Sequence, residues 1–329
     1  MTIKRYLIFL AIVSIMLIQA CSKLIYPVYP IPDYTGTIEW EEVSQEAGWT
    51  GRWDHAAVSF HGKIWILGGY NPGNTKSDSY LEDVWNSSNG ESRELINASA
   101  PWHGRRGHAV VVFDDGDGES IFLIGGYSVD EQTGFRQYNN DVWNSSDGIS
   151  WVQIKANSIP GRTSKNDWSP RFNHRCEVFS YQGKSYIYLI AGRGTYGSHD
   201  EGGAHLDKPV YQWQELWSSA DGINWEAEND ELKFPQSYLY RTQHQIIHYA
   251  DFIWGFPGKN STSVYFSNSP DTYSIWKFDS HGNWSVDSEG PPFMPVYGYA
   301  LVLHDNKIWI LGGHTANHGP SNAVWSGNL

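Results

Sequence analysis

Cysteine, positive charge and long apolar runs are all scarce in this chain of 329 residues, and each scarcity removes a class of protein. Only Cys21 and Cys176 are present. A disulfide framework or a thiolate metal site needs several cysteines at set spacings, so neither organises the fold. Lysine and arginine number 23 against 36 aspartates and glutamates, a net charge of −13 with neutral histidine. Such a surface repels phosphate backbones, and no nucleic-acid partner is expected. The apolar run at residues 7–18, broken only by Ser14, falls short of the roughly 20 residues that a membrane helix needs.

That short run is the middle of a leader. Lys4 and Arg5 precede it and Ile18-Gln-Ala-Cys21 follows, which is the layout of a secretory signal peptide. Its end resembles a bacterial lipobox, with Ala20 before the cleavage point and Cys21 as the acylated residue, although Gln19 replaces the usual small or aliphatic residue. A plain signal peptide with an incidental Cys21 is the alternative. The chain then divides into a leader (1–20), a lipid-anchored tether (21–36) extended by Pro27, Pro30 and Pro32, and a folded domain (37–329). Loss of residues 1–20 leaves 21 basic against 36 acidic residues, a net charge of −15. Cys176 then has no intramolecular partner and reads as a small core residue. The expected location is the bacterial cell envelope, at the outer membrane of a Gram-negative source because Ser22 rather than Asp follows Cys21.

What is abundant is glycine, with 33, and tryptophan, with 17. Residues 107–154 hold one complete structural unit. An alternating run from His108 to Phe113 reaches an Asp/Gly-rich turn, and an unbroken apolar run from Ile121 to Ile124 stops at Gly125-Gly126. After a polar loop, Asp141-Val-Trp143, the Ser145-Ser-Asp-Gly148 turn and Trp151-Val-Gln-Ile154 form a second hairpin. The unit predicts four antiparallel strands. Its second strand lacks alternation and so must be buried on both faces, between neighbouring copies of the same unit. Copies recur at Lys63-Ile-Trp-Ile-Leu-Gly-Gly69, Ser185-Tyr-Ile-Tyr-Leu-Ile-Ala-Gly192, Asp251-Phe-Ile-Trp-Gly255 and Lys307-Ile-Trp-Ile-Leu-Gly-Gly313. In three copies two tryptophans lie eight positions apart, as Trp143 and Trp151 do, which is expected to pair them across the hairpin. In the fourth copy either residues 264–268 or the segment at Trp276 supplies the third strand.

A diglycine ending an apolar strand, with a tryptophan further on and a period near fifty residues, resembles the kelch repeat. The resemblance implies an all-β propeller. Five blades are expected, near residues 52–99, 105–155, 171–230, 241–287 and 295–329, or six if the long third copy hides a degenerate one. The last copy has no fourth strand of its own. Residues 37–43, with Trp40 in the place of Trp151, should complete it and close the ring.

Loop lengths separate two faces. First-to-second turns and the Ser-Ser-Asp-Gly turns are short, whereas second-to-third and blade-to-blade connections are long, and strand alternation puts both long classes on one face. That face is the expected functional one. Four copies share Arg-x-x-His at the start of the first strand: Arg52 and His55, Arg105 and His108, Arg171 and His174, Arg241 and His244, with Pro295 and Gly298 in the fifth. First strands of a propeller line its channel, so these arginines should ring the mouth, either holding loop carbonyls and carboxylates or receiving an anionic ligand. The histidines should turn toward the neighbouring blade, so no metal site is expected. Trp53, Tyr70, Trp102, Tyr127, Trp168, Tyr196, Tyr238, Tyr240 and Tyr297 fall on or beside the long-loop face and suit a sugar or peptide.

No cofactor is expected. The Asp114-Asp-Gly-Asp-Gly-Glu119 stretch lacks EF-hand spacing and sits where a hairpin turn is required. Kelch-type copper oxidases need a cysteine cross-linked to tyrosine, and Cys176 has no evident partner. Residues 145–151 partly resemble the Asp-box of sialidases but lie on the short-turn face, where their role is structural. The expectation is therefore a monomeric, lipid-anchored, non-catalytic propeller binding a glycan or peptide. The contact residues would be Arg52, Arg105, Arg171, Arg241, Trp53 and Tyr127. The alternative implied by the resemblance is a sugar epimerase or mutarotase of the kind that handles sialic acids, using a channel arginine and acid/base side chains. Acylation of Cys21 would hold the protein in the membrane by burial of acyl CH₂ groups at about 0.8 kcal/mol each. Cys21→Ser should move the protein to the soluble envelope fraction and abolish fatty-acid labelling; unchanged membrane retention would refute the anchor.

Overall fold

Alternating first strands and wholly apolar second strands assemble as small antiparallel sheets. The computed structural model describes residues 38–73, 79–129, 136–158, 167–181, 183–194, 211–212, 215–228, 245–249, 252–256, 275–278, 284–288, 296–315 and 319–328. The expected leader (1–20) and tether (21–36), and Arg241, His244, Tyr196, Tyr238 and Tyr240, lie outside these residues. Among the described residues every regular element is a strand, and no helix is long and apolar enough to cross a membrane.

Five sheets have four or five strands each. The first runs through Ala56–Phe60, Lys63–Tyr70, Tyr80–Ser87 and Arg93–Asn97. In the second, Ala109–Asp114, Glu119–Val129, Arg136–Ser145 and Val152–Lys155 follow in order, with Arg105–Arg106 paired beyond the first strand. The third holds Arg175–Tyr181, Lys184–Ile190, Leu216–Ser219 and Glu226–Ala227, and the fourth Gln245–Tyr249, Phe252–Phe256, Ile275–Phe278 and Trp284–Ser288. The third strand of the fourth sheet is therefore the segment at Trp276. The fifth sheet contains Ala300–His304, Lys307–Thr315 and Gly319–Asn328, and its outermost strand is Glu39–Ser44, antiparallel to Gly319–Asn328. A ribbon of Arg193–Gly194 with Tyr211–Gln212 continues the third copy.

The second strands are sandwiched as their composition requires: Ile64, Ile66, Leu67, Ile121, Phe122, Leu123, Ile124 and Ile308 are fully buried. Four apolar cores join the sheets in a propeller-like arrangement, filling the junctions one–two, two–three, four–five and five–one. Among the described residues no such core fills the junction of the third and fourth sheets, which a closed ring of five blades would need.

A repeated contact locks neighbouring sheets together. On the short-turn face, the serine hydroxyls of Ser87, Ser145 and Ser219 accept from the amides of Gly90, Gly148 and Gly222 at 2.8–2.9 Å. Each glycine then lies flat on an aromatic ring of the preceding sheet, so close that a Cβ would come within 2.3 Å of Trp309, 2.3 Å of Trp65 and 2.8 Å of Phe122. Trp65 and Trp309 are fixed in turn by Nε1 donating to the carbonyls of Phe60 and His304 at 3.0 and 3.1 Å. The Ser-Ser-Asp-Gly turn is thus a structural dock, and the second-strand tryptophans are structural too. On the same face Ser59 and His304 hydrogen-bond at 2.8 Å across the five–one junction.

The hairpin tryptophans do not pair as expected. Trp143 stands opposite Gln153, and Trp217 opposite Ala227. Trp151 and Trp225 instead meet the buried loop residues Trp102 and Trp168 edge-on, at 6.2 and 5.8 Å. In the first sheet, where Arg93 stands eight residues beyond Trp85, its guanidinium covers Trp49 at 5.0 Å. Trp102 and Trp168 are 0 % exposed and so belong to the core rather than to a binding face.

Ile38 and the half-buried Trp40 and Val43 of the N-terminal strand pack into two of the four cores. Deletion of residues 37–43 removes those side chains, worth about 1.5–3 kcal/mol each when fully buried, and bares the edge at Val324 and Trp325. Cooperative destabilisation and aggregation should follow; a deletion variant that melts like the parent would show the strand to be peripheral.

Candidate functional site

The repeated arginines are clamps within their own sheets. Arg52 grips Asp83 with two donors at 2.6 and 2.8 Å and reaches the carbonyls of Gly68 and Thr50. Arg105 does the same to Asp141, at 2.8 and 3.0 Å, with the carbonyls of Gly125 and Trp102. Arg171 holds Glu215 at 2.8 Å and the carbonyls of Ala191 and Ser169. Each carboxylate stands two residues before the third-strand tryptophan and accepts from its indole: Trp85 to Asp83, Trp143 to Asp141 and Trp217 to Glu215, at 2.7–3.0 Å. With 0, 2 and 0 % exposure, Arg52, Arg105 and Arg171 do not present their guanidinium groups to a ligand. Arg241 lies outside the described residues, and in its copy Ser274 takes the carboxylate position.

The arginines avoid the channel because the strand is interrupted. Between Arg and His of the three described copies stands a residue with left-handed backbone, Asp54 (φ 53°), Gly107 (φ 62°) and Asn173 (φ 54°), and the fifth copy has Gly298 (φ 65°) in the same place. Strand alternation fails across that kink. The same residues correct the alignment of the fifth copy by one position: Val296 replaces the arginine and Tyr299 the histidine. Ala323 there replaces the carboxylate, so both partners of the clamp are missing together.

His55, His108 and His174 point into the preceding sheet, as expected, where the diglycine admits them. A Cβ on Gly312, Gly68 or Gly125 would lie 2.9–3.0 Å from their Cε1 atoms, and His174 Nε2 is 3.1 Å from the Ile124 carbonyl. The second glycine of each pair, Gly69, Gly126 and Gly192, fits against the histidine of its own sheet, so closely that a Cβ there would lie 2.7–2.8 Å from Cβ of His55, His108 and His174. In the third copy Ala191 adopts φ 55° where glycine is usual. Burial depresses all three imidazoles, that of His108 to about 3 and those of His55 and His174 well below the ordinary value.

The left-handed residues form a collar. Asp54 N–H donates to Gly298 O (2.6 Å), Gly107 N–H to Asp54 O (2.7 Å) and Asn173 N–H to Gly107 O (2.7 Å), linking sheets five, one, two and three. Around it runs an aromatic belt. Tyr297 stacks on His314 at 4.8 Å and His314 meets Trp53 at 4.6 Å. Contacts of 5.0, 4.9 and 5.8 Å carry the belt through Tyr70 and Tyr80 to Tyr127, which meets Tyr138 and Phe172. All but Tyr127 are half-buried, each with part of its surface open to solvent. Arg106 sits inside the belt, its guanidinium 4.8 Å from the Tyr70 ring, 5.5 Å from Tyr127 and 5.9 Å from Tyr80.

A second group lies below. First-strand residues alternate between neighbours, and at the two positions that face the next sheet the first, second and fifth sheets carry Ala56 and Val58, Ala109 and Val111, Ala300 and Val302. The third sheet carries Arg175 and Glu177 there. Burial lowers the pKa of Arg175, against the pull of the Glu177, Tyr299 and Asp54 side chains within electrostatic reach. Both side chains touch solvent yet are enclosed by protein, and burial raises the Glu177 carboxyl to about 7 against the pull of Arg175.

Of the expected contact residues, the belt brings together Trp53 and Tyr127 and excludes the three described arginines. Arg106, Asp54, Arg175 and Glu177 were not anticipated. Arg106 occupies the variable position after the clamp arginine, and Arg175 and Glu177 are the charges in first strands that elsewhere alternate Ala and Val.

No family model matches the chain. It is 25% identical over 300 residues to the "Leucine-zipper-like transcriptional regulator 1 homolog" of Drosophila melanogaster, a match covering 85% of this chain and 26% of that protein. The chain thus spans about a quarter of the length of the curated relative it matches. Among solved structures it is similar to YjhT, a kelch-type β-propeller, with a TM-score of 0.54 and 12% identity over 84% of this chain and 94% of that one. The fold is that of a kelch-like β-propeller.

Arg105→Ala should cost about 3–5 kcal/mol, because it leaves the buried Asp141 carboxylate without its cation, held among the described residues only by the Trp143 indole, and the carbonyls of Gly125 and Trp102 without this donor; a loss below 1 kcal/mol in denaturant unfolding would deny the clamp its structural role. Glu177 acts on pH dependence. Its carboxyl is raised in the folded state, so stability falls as pH climbs from the ordinary carboxylate value through about 7. The buried histidines act oppositely, since the unfolded chain binds protons below their ordinary value and stability falls in acid. Glu177→Gln should therefore gain about 1–3 kcal/mol relative to the parent between pH 5 and pH 8, and parallel melting curves at both pH values would contradict the assignment.

Proposed function

We propose that this chain is a ligand-binding propeller of the bacterial cell envelope, anchored through acylated Cys21 and taking a glycan or peptide at the mouth of its channel. The five sheets are read as five blades of one monomeric ring, with the third and fourth meeting at the Arg175–Glu177 seam. The observation that carries the reading is the aromatic belt: mostly half-buried rings contiguous across four sheets, on the face where the connections are long. Rings held mostly edge to face or tilted keep open flanks on which a sugar or an apolar side chain can lie, and the collar beneath fixes their spacing. Binding without chemistry needs no more than this.

A second reading, a sugar epimerase or mutarotase, is favoured by one observation. A carboxyl poised near neutral pH beside an arginine is suited to take and return a proton from a bound sugar acid. The two readings part at Glu177→Gln, which would abolish turnover in a sugar-exchange NMR assay and leave simple binding intact. For the binding reading, Trp53→Ala should weaken calorimetrically measured affinity for an array-identified ligand by about 1–3 kcal/mol without lowering thermal stability comparably; undiminished affinity would place the site elsewhere.

A further inference from the structure

Arg106 differs from the three clamp arginines at the mouth. The three clamp arginines bond to a carboxylate and to backbone carbonyls, whereas Arg106 makes no hydrogen bond among the described residues. Its Nε is buried without a partner, and its nearest carboxylate oxygen, Asp54 Oδ2, is 3.9 Å away. The side chain is 25% exposed. Tyrosine rings cover the guanidinium, but rings satisfy the faces of the fork and leave its five edge donors unmet. A half-buried planar cation with open donors at a channel mouth is complementary to an anion with two oxygens.

The surroundings limit what bears that anion. An extended peptide is usually read through main-chain hydrogen bonds. Here the amides of Asp54, Gly107 and Asn173 are closed on one another, and those of Trp53, Tyr70, Phe172 and Arg193 are closed in pairs. What remains open is side-chain surface, aromatic rings around one guanidinium, which suits sugar rings carrying an acidic group.

Asp54 is the internal competitor. It holds a left-handed backbone where Gly107 and Gly298 stand in neighbouring sheets, and its carboxylate faces Arg106 from beyond hydrogen-bond distance. It weakens the local positive potential while keeping the guanidinium oriented.

We propose that Arg106 receives the anionic group of an acidic glycan whose sugar rings lie on the Trp53–Tyr70–Tyr127 belt, with Asp54 tuning the affinity. The proposal rests on the binding reading above and assigns its ligand class. The test is retention of the full chain on an array of matched neutral, carboxylated and sulfated glycans, with Arg106→Ala, Arg106→Lys and Asp54→Asn beside the parent. Asn173 already occupies the equivalent left-handed position, so Asp54→Asn keeps the collar. The parent should be retained on acidic members, the carboxylated and sulfated arms telling which anion is taken. Arg106→Ala should lose at least about tenfold in affinity, on the scale of one charge-assisted contact. Arg106→Lys should lose nearly as much for want of the planar fork, and Asp54→Asn should bind more tightly. Retention on neutral members alone, or acidic binding undiminished in a folded Arg106→Ala, overturns this inference and leaves the belt reading standing. No retention on any member overturns both.

Discussion

The close approach of one sheet's diglycine to two histidines is the constraint on which the rest of this structure depends. A propeller needs neighbouring sheets to converge at the axis, and at the mouth the second strand of each sheet runs into the first strand of the next. Gly68 and Gly69, Gly125 and Gly126, and Gly312 remove the side chains that would collide there, and these glycines with Gly313 turn the backbone through left-handed angles. The turn aims the first glycine's carbonyl at the clamp arginine of its own sheet, as Gly68 does to Arg52 and Gly125 to Arg105. One local conformation thus fixes both the junction between sheets and the end of each sheet.

With the clamp and the histidine committed to the scaffold, only two positions between them remain variable. The left-handed one builds the collar. The other, filled by Trp53, Arg106, Phe172 and Tyr297, pairs with the residue after the diglycine, namely Tyr70, Tyr127, Arg193 and His314. Those pairs are the inner members of the belt. The scaffold therefore presents the same two slots in the first, second, third and fifth sheets and lets their contents differ, which separates the residues that make the fold from those left free to vary.

Most of the scaffold could be read in advance because it is written in repeats: glycine pairs, tryptophan spacings and the N-terminal strand with Trp40 all act through local backbone geometry or strand periodicity. The site was less legible for a physical reason. A repeated arginine looks like a repeated ligand contact, and only the third-strand partners, two residues before Trp85, Trp143 and Trp217, reveal that the charge is neutralised within the sheet. Arg106 stood beside Arg105 and was hidden by the very regularity that made Arg105 conspicuous. The fifth copy was misaligned by one residue because Gly298 looked like a lost histidine, although its φ of 65° marks it as the collar residue. Arg175 and Glu177 were charges within an alternating strand, and their environment depends on which sheet lies opposite.

The pairing of Glu42 with Trp325 joins residues separated by almost the whole length of the chain. Sequence-local hairpins complete the first four sheets, but the fifth cannot gain its outer strand until three strands at the far end have formed. The N-terminal strand must wait unpaired through synthesis and through the collapse of everything between. Loop closure over so long a segment is slow and depends on the intervening sheets already holding the two ends near each other. The folding of this protein should accordingly end with one late, cooperative step, in which Glu39–Ser44 seals a structure otherwise assembled in order along the chain.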